Sequence, residues 1–341
     1  MAVSLRRDRE ALRGRYTPNL WPVWIVAPVA LIAAGVLGWV IYHYAYDHFA
    51  QAAADQKPSK PVDINDVLKA TVTALTLVGA VLAGLYAYRK QLLAEGDAHR
   101  ADASQLADRY TTAAEQLGHD QAAVRLAGVY ALARLADDWT EQRQVCVDVL
   151  CAYLRMPYEP DPTASGHKEG EREVRQTIIQ VIRDHLQQPD TPTAWCKYKF
   201  DFSGAVFDRG NFTKSHFQGK VYFSGATFSG PDMVNFSGST FSSDEVNFHS
   251  TTFSGGMVSF DGALFRGAGV YFSQAAFDSG MVVFDDTIFS GSRVFFDGAL
   301  FHGGEVTFED ATLSDSTVYF NGASFRGTTF HWGPLPVPAD A

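Results

Sequence analysis

The sequence predicts an α plus β-solenoid chain: an N-terminal two-helix transmembrane hairpin, a small α-helical segment, and a C-terminal solenoid with coils of about 24 residues. Three patterns predict it. A phenylalanine returns every five or seven residues through most of the stretch from Phe202 to Phe330. Two uncharged stretches, 20–46 and about 70–88, are long enough to span a bilayer core as helices. Between them and the repeat, apolar residues recur at helical spacing. The expected divisions are a basic N-terminus (1–19), the hairpin (20–90), a helical adaptor (91–190), the solenoid (195–332) and a Pro-rich tail (333–341).

The first apolar stretch, "LWPVWIVAPVALIAAGVLGWVIYHYAY", is too long for the core of a signal peptide and lacks a convincing small-residue cleavage site. Trp21, Trp24, Tyr42, Tyr44 and Tyr46 lie towards its ends, where amphipathic rings prefer the membrane interface. The second, "ATVTALTLVGAVLAGLYAY", stops at Arg89-Lys90, and Gly79, Ala80, Ala83 and Gly84 offer small surfaces for close helix contact. Arg6, Arg7, Arg9, Arg13 and Arg15 precede the first span, whereas the loop between spans, roughly 47–66, holds only Lys57 and Lys60. The positive-inside rule then places both termini in the cytoplasm, with the lipid bilayer as one partner.

From Gln91 the pattern becomes amphipathic. "SQLADRYTTAAEQLG" carries Leu106, Tyr110, Ala113 and Leu117 at helical spacing, and Gly118 can end it. Asp120 suits an N-cap for "QAAVRLAGVYALARLADD", which is apolar over most of its circumference and must be covered by neighbours. Thr140 is expected to cap "EQRQVCVDVLCAYLR", and Pro157 to stop it. A Pro- and Gly-containing loop comes next, then a last helix, "EREVRQTIIQVIRDHL", with Val174, Ile178, Val181 and Ile182 on one side. These helices make a structural adaptor or, alternatively, a groove for a partner helix.

Between Phe202 and Phe330, 22 of the 25 phenylalanines, with Leu313, occupy the recurring position. The spacing begins as five, five, five and settles into five and seven alternately. Two residues before each stands a smaller one, as in Val258-x-Phe260 and Ala263-x-Phe265. Residues two apart on an extended segment face the same side, so each unit is a short strand with one small and one large residue inward. Gly and Ser between units supply corners, because glycine tolerates positive φ. Positions outside the Phe column repeat every 24: Asn247, Tyr271, Phe295, Tyr319, and separately Met233, Met257, Met281. That favours four faces per coil over a flat coil of twelve. The helix ending near Leu186 and the Trp195 segment can close one end of the column, and "HWGPLPVP" the other.

The opening run "GAVFDRGNFTKSHF" resembles pentapeptide repeats, and the likeness extends over about 200–330. It implies a right-handed quadrilateral β-helix. The seven-residue steps depart from that family's pattern, so half of the corners are expected to bulge. The stretch "RYTTAAEQLG…VRLAGVYALARLADD…VLCAYLR" is similar to helical segments that precede the repeats in bacterial members, here of a membrane-anchored type.

Charge and motifs narrow the function. With 38 acidic against 28 basic residues, the net charge of −10 argues against broad, direct nucleic-acid binding. Cys146, Cys151 and Cys196 lack metal or redox spacing and read as small buried residues of a reducing compartment. No catalytic, cofactor or metal constellation stands out, which points away from an enzyme. Two outward columns remain as a candidate partner surface: Tyr271, Phe295 and Tyr319, and the acidic Asp261, Asp285 and Glu309. The aromatic column can equally be neighbouring strands stabilising one another. The expected role is a scaffold for an unknown protein partner on the cytoplasmic face of the cell membrane. The family likeness implies an alternative, an acidic DNA mimic that binds a type II topoisomerase; residues 197–341 carry 15 acidic against 8 basic residues.

Overall fold

The computed structural model describes residues 23–55, 61, 63–339 and 341. The chain divides into two compact units after Arg100. In the first, α1 (Val23–Ala54) and the start of α2 (Ile64–Leu117) lie side by side. A Cβ on Gly38 would touch Leu75 at 3.4 Å, and Val67 and Thr71 are buried. Gly79 and Gly84, expected at the helix contact, have open space around them.

Of the two expected spans, one is found among the described residues; the first, 20–46, lies partly outside them. Among the described residues, only Ile64–Gln91 is long and apolar enough to cross a membrane, with 6% of its apolar window buried. Arg6, Arg7, Arg9, Arg13, Arg15, Trp21, Lys57, Lys60 and the Trp24 side chain lie outside the described residues. The second expected span ends close to the Arg89-Lys90 pair, at Gln91, but the helix does not end with it. Arg89 and Lys90 are good helix formers, and α2 runs on to Leu117 as one helix of 54 residues.

In the second unit the end of α2 packs with α3 (Ala122–Asp138), α4 (Arg143–Arg155) and α5 (Glu171–Leu186). Gly128 permits the crossing of α2 and α3, since a Cβ there would stand 2.6 Å from the Leu117 nitrogen. Two expected caps are displaced. The N-cap of α3 is Gln121 rather than Asp120, without a side-chain cap, and Thr140 opens a short 3₁₀ turn that precedes α4. Before α3, the buried Arg125 guanidinium takes the carbonyls of His119, Asp120 and Glu169 and so ties down the turn; before α4, Arg143 takes those of Ala136 and Asp137. The end of α4 before Pro157 and the span of α5 agree with the sequence, and Val174, Ile178, Val181 and Ile182 are all buried.

The solenoid then rises as four ladders of parallel strands. Corresponding strands pair at offsets of 21 and 25 residues in the first coils (Phe200↔Val221, Val221↔Val246) and 24 thereafter (Val246↔Val270, Val270↔Val294, Val294↔Val318). The coil therefore closes after about 24 residues, and about six coils stack. Inside, each phenylalanine lies on its counterpart one coil away: Phe248 on Phe272 at 4.7 Å and 6°, Phe272 on Phe296 at 5.0 Å and 8°. These spacings match the ~4.8 Å between paired strands. Across the centre, the first and third faces meet edge to face, as Phe272 and Phe284 do at 5.6 Å and 89°. That arrangement sets the positive ring edge against the negative face.

The small inward residue has a second task. Ser239, Thr251 and Thr287 are buried, and their hydroxyls donate to the Phe212, Phe223 and Phe260 carbonyls of the coil below at 2.7–2.8 Å. The two-residue corners are tight turns with a positive φ at the second residue, such as Gly262 (+60°) and Asp286 (+52°). The seven-residue steps bulge as expected. Strands Thr252–Ser259 and Ala276–Val283 run continuously through the corner, with register shifts around Ser254.

Both ends of the column are closed as expected. At the base α4 and α5 lie against the first coil. Trp195 is fully buried there, and Gln187 donates to the Thr213 carbonyl at 2.9 Å. At the top Trp332 stacks on Phe330 at 3.8 Å and touches Phe320 and Phe325, while Leu335 is buried.

Candidate interaction surfaces

The aromatic column forms on the first face. Strands Gly269–Tyr271, Arg293–Phe295 and Thr317–Tyr319 pair in register, so the outward ring comes two positions after each outward Gly, Arg or Thr. Tyr271 and Phe295 stack at 5.1 Å and 6°, Phe295 and Tyr319 at 5.0 Å and 9°. All three are half-buried. The Tyr271 ring folds down over Gly269, where a Cβ would meet the phenol oxygen at 2.7 Å. Glycine at 269 is thus the platform for the lowest ring. Much of the ring faces is spent on each other, so edges and the two hydroxyls are what a partner would meet.

Below the aromatic rings the same face turns polar. Lys220 and Tyr222 both reach Glu245, at 3.1 and 3.2 Å. Burial works against the Glu245 carboxylate, yet hydrogen bonds from Lys220, Asn247 and Tyr222 outweigh it and hold the carboxyl below its usual range.

The acidic column is less bare than the sequence implied. Asp285 accepts the Thr307 hydroxyl at 2.6 Å and the Glu309 backbone N–H at 2.9 Å. It therefore fastens one coil to the next. Glu309 stands 3.5 Å from His331, and Asp261 remains exposed. Of the three, Asp261 and Glu309 are the carboxylates offered outward.

Sequence reasoning missed a buried ionic network in the helical unit, because arginine normally reads as solvated. Arg125 lies 3.4 Å from Glu171, whose carboxylate also accepts the Tyr153 hydroxyl at 2.8 Å. Desolvation, reinforced by Glu171, pushes the Tyr153 hydroxyl well above its ordinary range. Arg175 serves the Leu154 and Val206 carbonyls, joining α4 to the solenoid, and Arg143 serves those of Ala136 and Pro192. A charged cluster of Arg172, Arg209, Asp208 and Asp232 closes the junction of α5 with the first two coils. A groove of about 870 Å³ lies between the end of α2 and α3, lined by Ala113, Ala127, Ala131, Tyr130 and Arg134.

Among the described residues no group of three His, Cys, Asp or Glu side chains could hold a metal ion. The three cysteines are unpaired and buried; desolvation raises Cys146 to about 11 and Cys151 to about 12, which keeps both as inert thiols.

No curated protein and no solved structure matched the chain. A family model described as pentapeptide repeats (9 copies) matches residues 202–252, the first two coils, and the stacked phenylalanine ladder continues in the same register to Phe330. This β-solenoid is thus similar to pentapeptide repeats over its lower coils and repeats their inward pattern above them.

Proposed function

We propose that the chain is a membrane-associated, non-enzymatic scaffold whose solenoid offers a rigid surface to a protein partner on the cytoplasmic side. The carrying observation is the outward aromatic column Tyr271–Phe295–Tyr319, held by strand register on a preformed face. Its rings need no reorganisation on binding, which lowers the entropic cost of association. Asp261 and Glu309 add negative charge on another face. Membrane association is supported by the apolar, largely exposed stretch of Ile64–Gln91. Arg89 and Lys90 at its end favour a cytoplasmic position for the helical unit and the solenoid.

The test is capture of neighbours by a biotin ligase fused to the C-terminus of the full chain, compared with a Phe295→Ser/Tyr319→Ser variant. A cytoplasmic set of proteins labelled at least fivefold less by the variant is the expected result. Labelling of extracytoplasmic proteins only, or an unchanged set, rejects the proposal. Recovery of the chain in the soluble fraction after cell breakage rejects its membrane part.

A further inference from the structure

On the third face, three of the chain's five methionines form one outward column. Met257 pairs in register with Met233 below and Met281 above. The column has charged ends. Glu305 is the register partner of Met281, and Arg209 precedes Gly210, the partner of Val234, so it stands one strand below Met233. From base to top the column reads Arg209, Met233, Met257, Met281, Glu305. Four strand steps of ~4.8 Å separate its ends by about 19 Å.

These side chains are accessible. Met233 is 42% exposed, and Met257 and Met281 are half-buried. The side chains of Arg209 and Glu305 are 38% and 36% exposed. Arg209 meets Asp232, which Arg172 also contacts, and Glu305 meets His331 at 3.1 Å. Val283, two residues on from Met281, and Ile288, just past the tight corner, widen the apolar area. Exposed strand positions usually carry β-branched or polar residues. Unbranched thioethers instead give a soft surface that can conform to another one.

The order of the five residues selects the occupant. Read downwards, the column has the same apolar centre with its charges exchanged. A second copy laid antiparallel places Arg209 of each chain against Glu305 of the other, Met233 against Met281, and Met257 against itself on the two-fold axis. Laid parallel, arginine would face arginine and glutamate glutamate, which costs affinity. We propose that the third face is the self-complementary interface of an antiparallel homodimer, with Met257 on its axis. A closed two-fold contact of this kind is the commonest form of homo-oligomer.

The axis makes a test possible in the full chain, purified in detergent micelles. Met233→Cys, Met257→Cys and Met281→Cys are made singly and oxidised. The native thiols are buried and stay silent. Met257→Cys is expected to form a disulfide dimer at least tenfold faster than either of the other two alone. An equimolar mixture of Met233→Cys and Met281→Cys is expected to cross-link into a heterodimer as fast as Met257→Cys does. Adding Glu305→Arg to Met257→Cys should slow its cross-linking at least fivefold. Equal rates for all three single variants, self-cross-linking confined to Met233→Cys or Met281→Cys, or no dimer of a folded Met257→Cys overturns the inference.

Discussion

Gly280 lies so close above Gly256 that a Cβ on it would stand 2.5 Å from the Gly256 carbonyl oxygen. Its φ is +79°, so both the backbone conformation and the neighbouring coil demand glycine. Gly304 repeats the relationship one coil higher, against the Gly280 carbonyl. The bulged corners between the second and third faces stack this closely only because Gly256, Gly280 and Gly304 lack side chains.

Gly280→Ala should therefore destabilise far more than Gly262→Ala. Gly262 also has a positive φ, +60°, but open space where its Cβ would go. Strain alone costs about 1–2 kcal/mol; adding a backbone collision should bring Gly280→Ala to roughly 3–4 kcal/mol. Chemical denaturation of the two variants decides it, and equal losses would refute the stacking explanation.

Phe284→Ala removes a ring stacked on both Phe260, at 5.0 Å, and Phe308, at 4.6 Å, and leaves a hole in the middle of the column. Losses of about 3–5 kcal/mol are usual for such a truncation. Phe325, half-buried in the last coil, has a stacked neighbour on one side only, Phe301 at 4.9 Å, and its truncation should cost about half as much. Paired melting curves check the ratio.

The ladder was legible from sequence because its period is short, its residue type rare, and each coil touches only its neighbours. The Phe248, Phe260, Phe272 and Phe284 positions needed only strand geometry to be placed inside. The candidate site was legible in part: Tyr271, Phe295 and Tyr319 share a face because 24 residues make one coil. The tie that Asp285 makes to Thr307 and Glu309 was not legible, because those partners arrive from the next coil. The continuity of α2 past Arg89-Lys90 was missed because charge marks a membrane boundary without breaking a helix. The buried arginines left no periodic trace, since their partners are mostly backbone carbonyls fixed by the fold.

Glu171→Gln keeps the volume of the side chain but removes the charge that faces Arg125 at 3.4 Å. Both groups are buried, so the unpaired guanidinium that remains should lower stability by about 3–5 kcal/mol. Arg125→Met/Glu171→Gln should recover part of that loss, because no buried charge is left alone. A double variant less stable than Glu171→Gln would show that Arg125 acts chiefly through the His119, Asp120 and Glu169 carbonyls.

The cysteines give a pH dependence with a definite sign. Burial raises Cys146 to about 11 and Cys151 to about 12 from an ordinary value of 9.0. The unfolded chain thus loses these protons first as the solution becomes alkaline. Their contribution to stability is complete below pH 9 and fades as the pH rises through the range 9–12. At pH 8 a thiol reagent should label neither residue in the native protein and both after denaturation. Replacing both by alanine should flatten the alkaline limb of the stability profile, and an unchanged limb would assign it to other groups.

Trp332 closes the top of the column. It stacks on Phe330 at 3.8 Å and reaches Phe320 and Phe325 within 5.5 Å, yet all four aromatic residues remain half-buried. Trp332→Ala opens the last coil to water and frees strand edges that can pair with another chain. Repeat proteins depend on their end caps for solubility more than for internal stability. The variant should therefore keep most of its denaturation midpoint while binding more of a hydrophobic dye and aggregating faster. A large fall in midpoint without aggregation would mean instead that the last coil anchors the others.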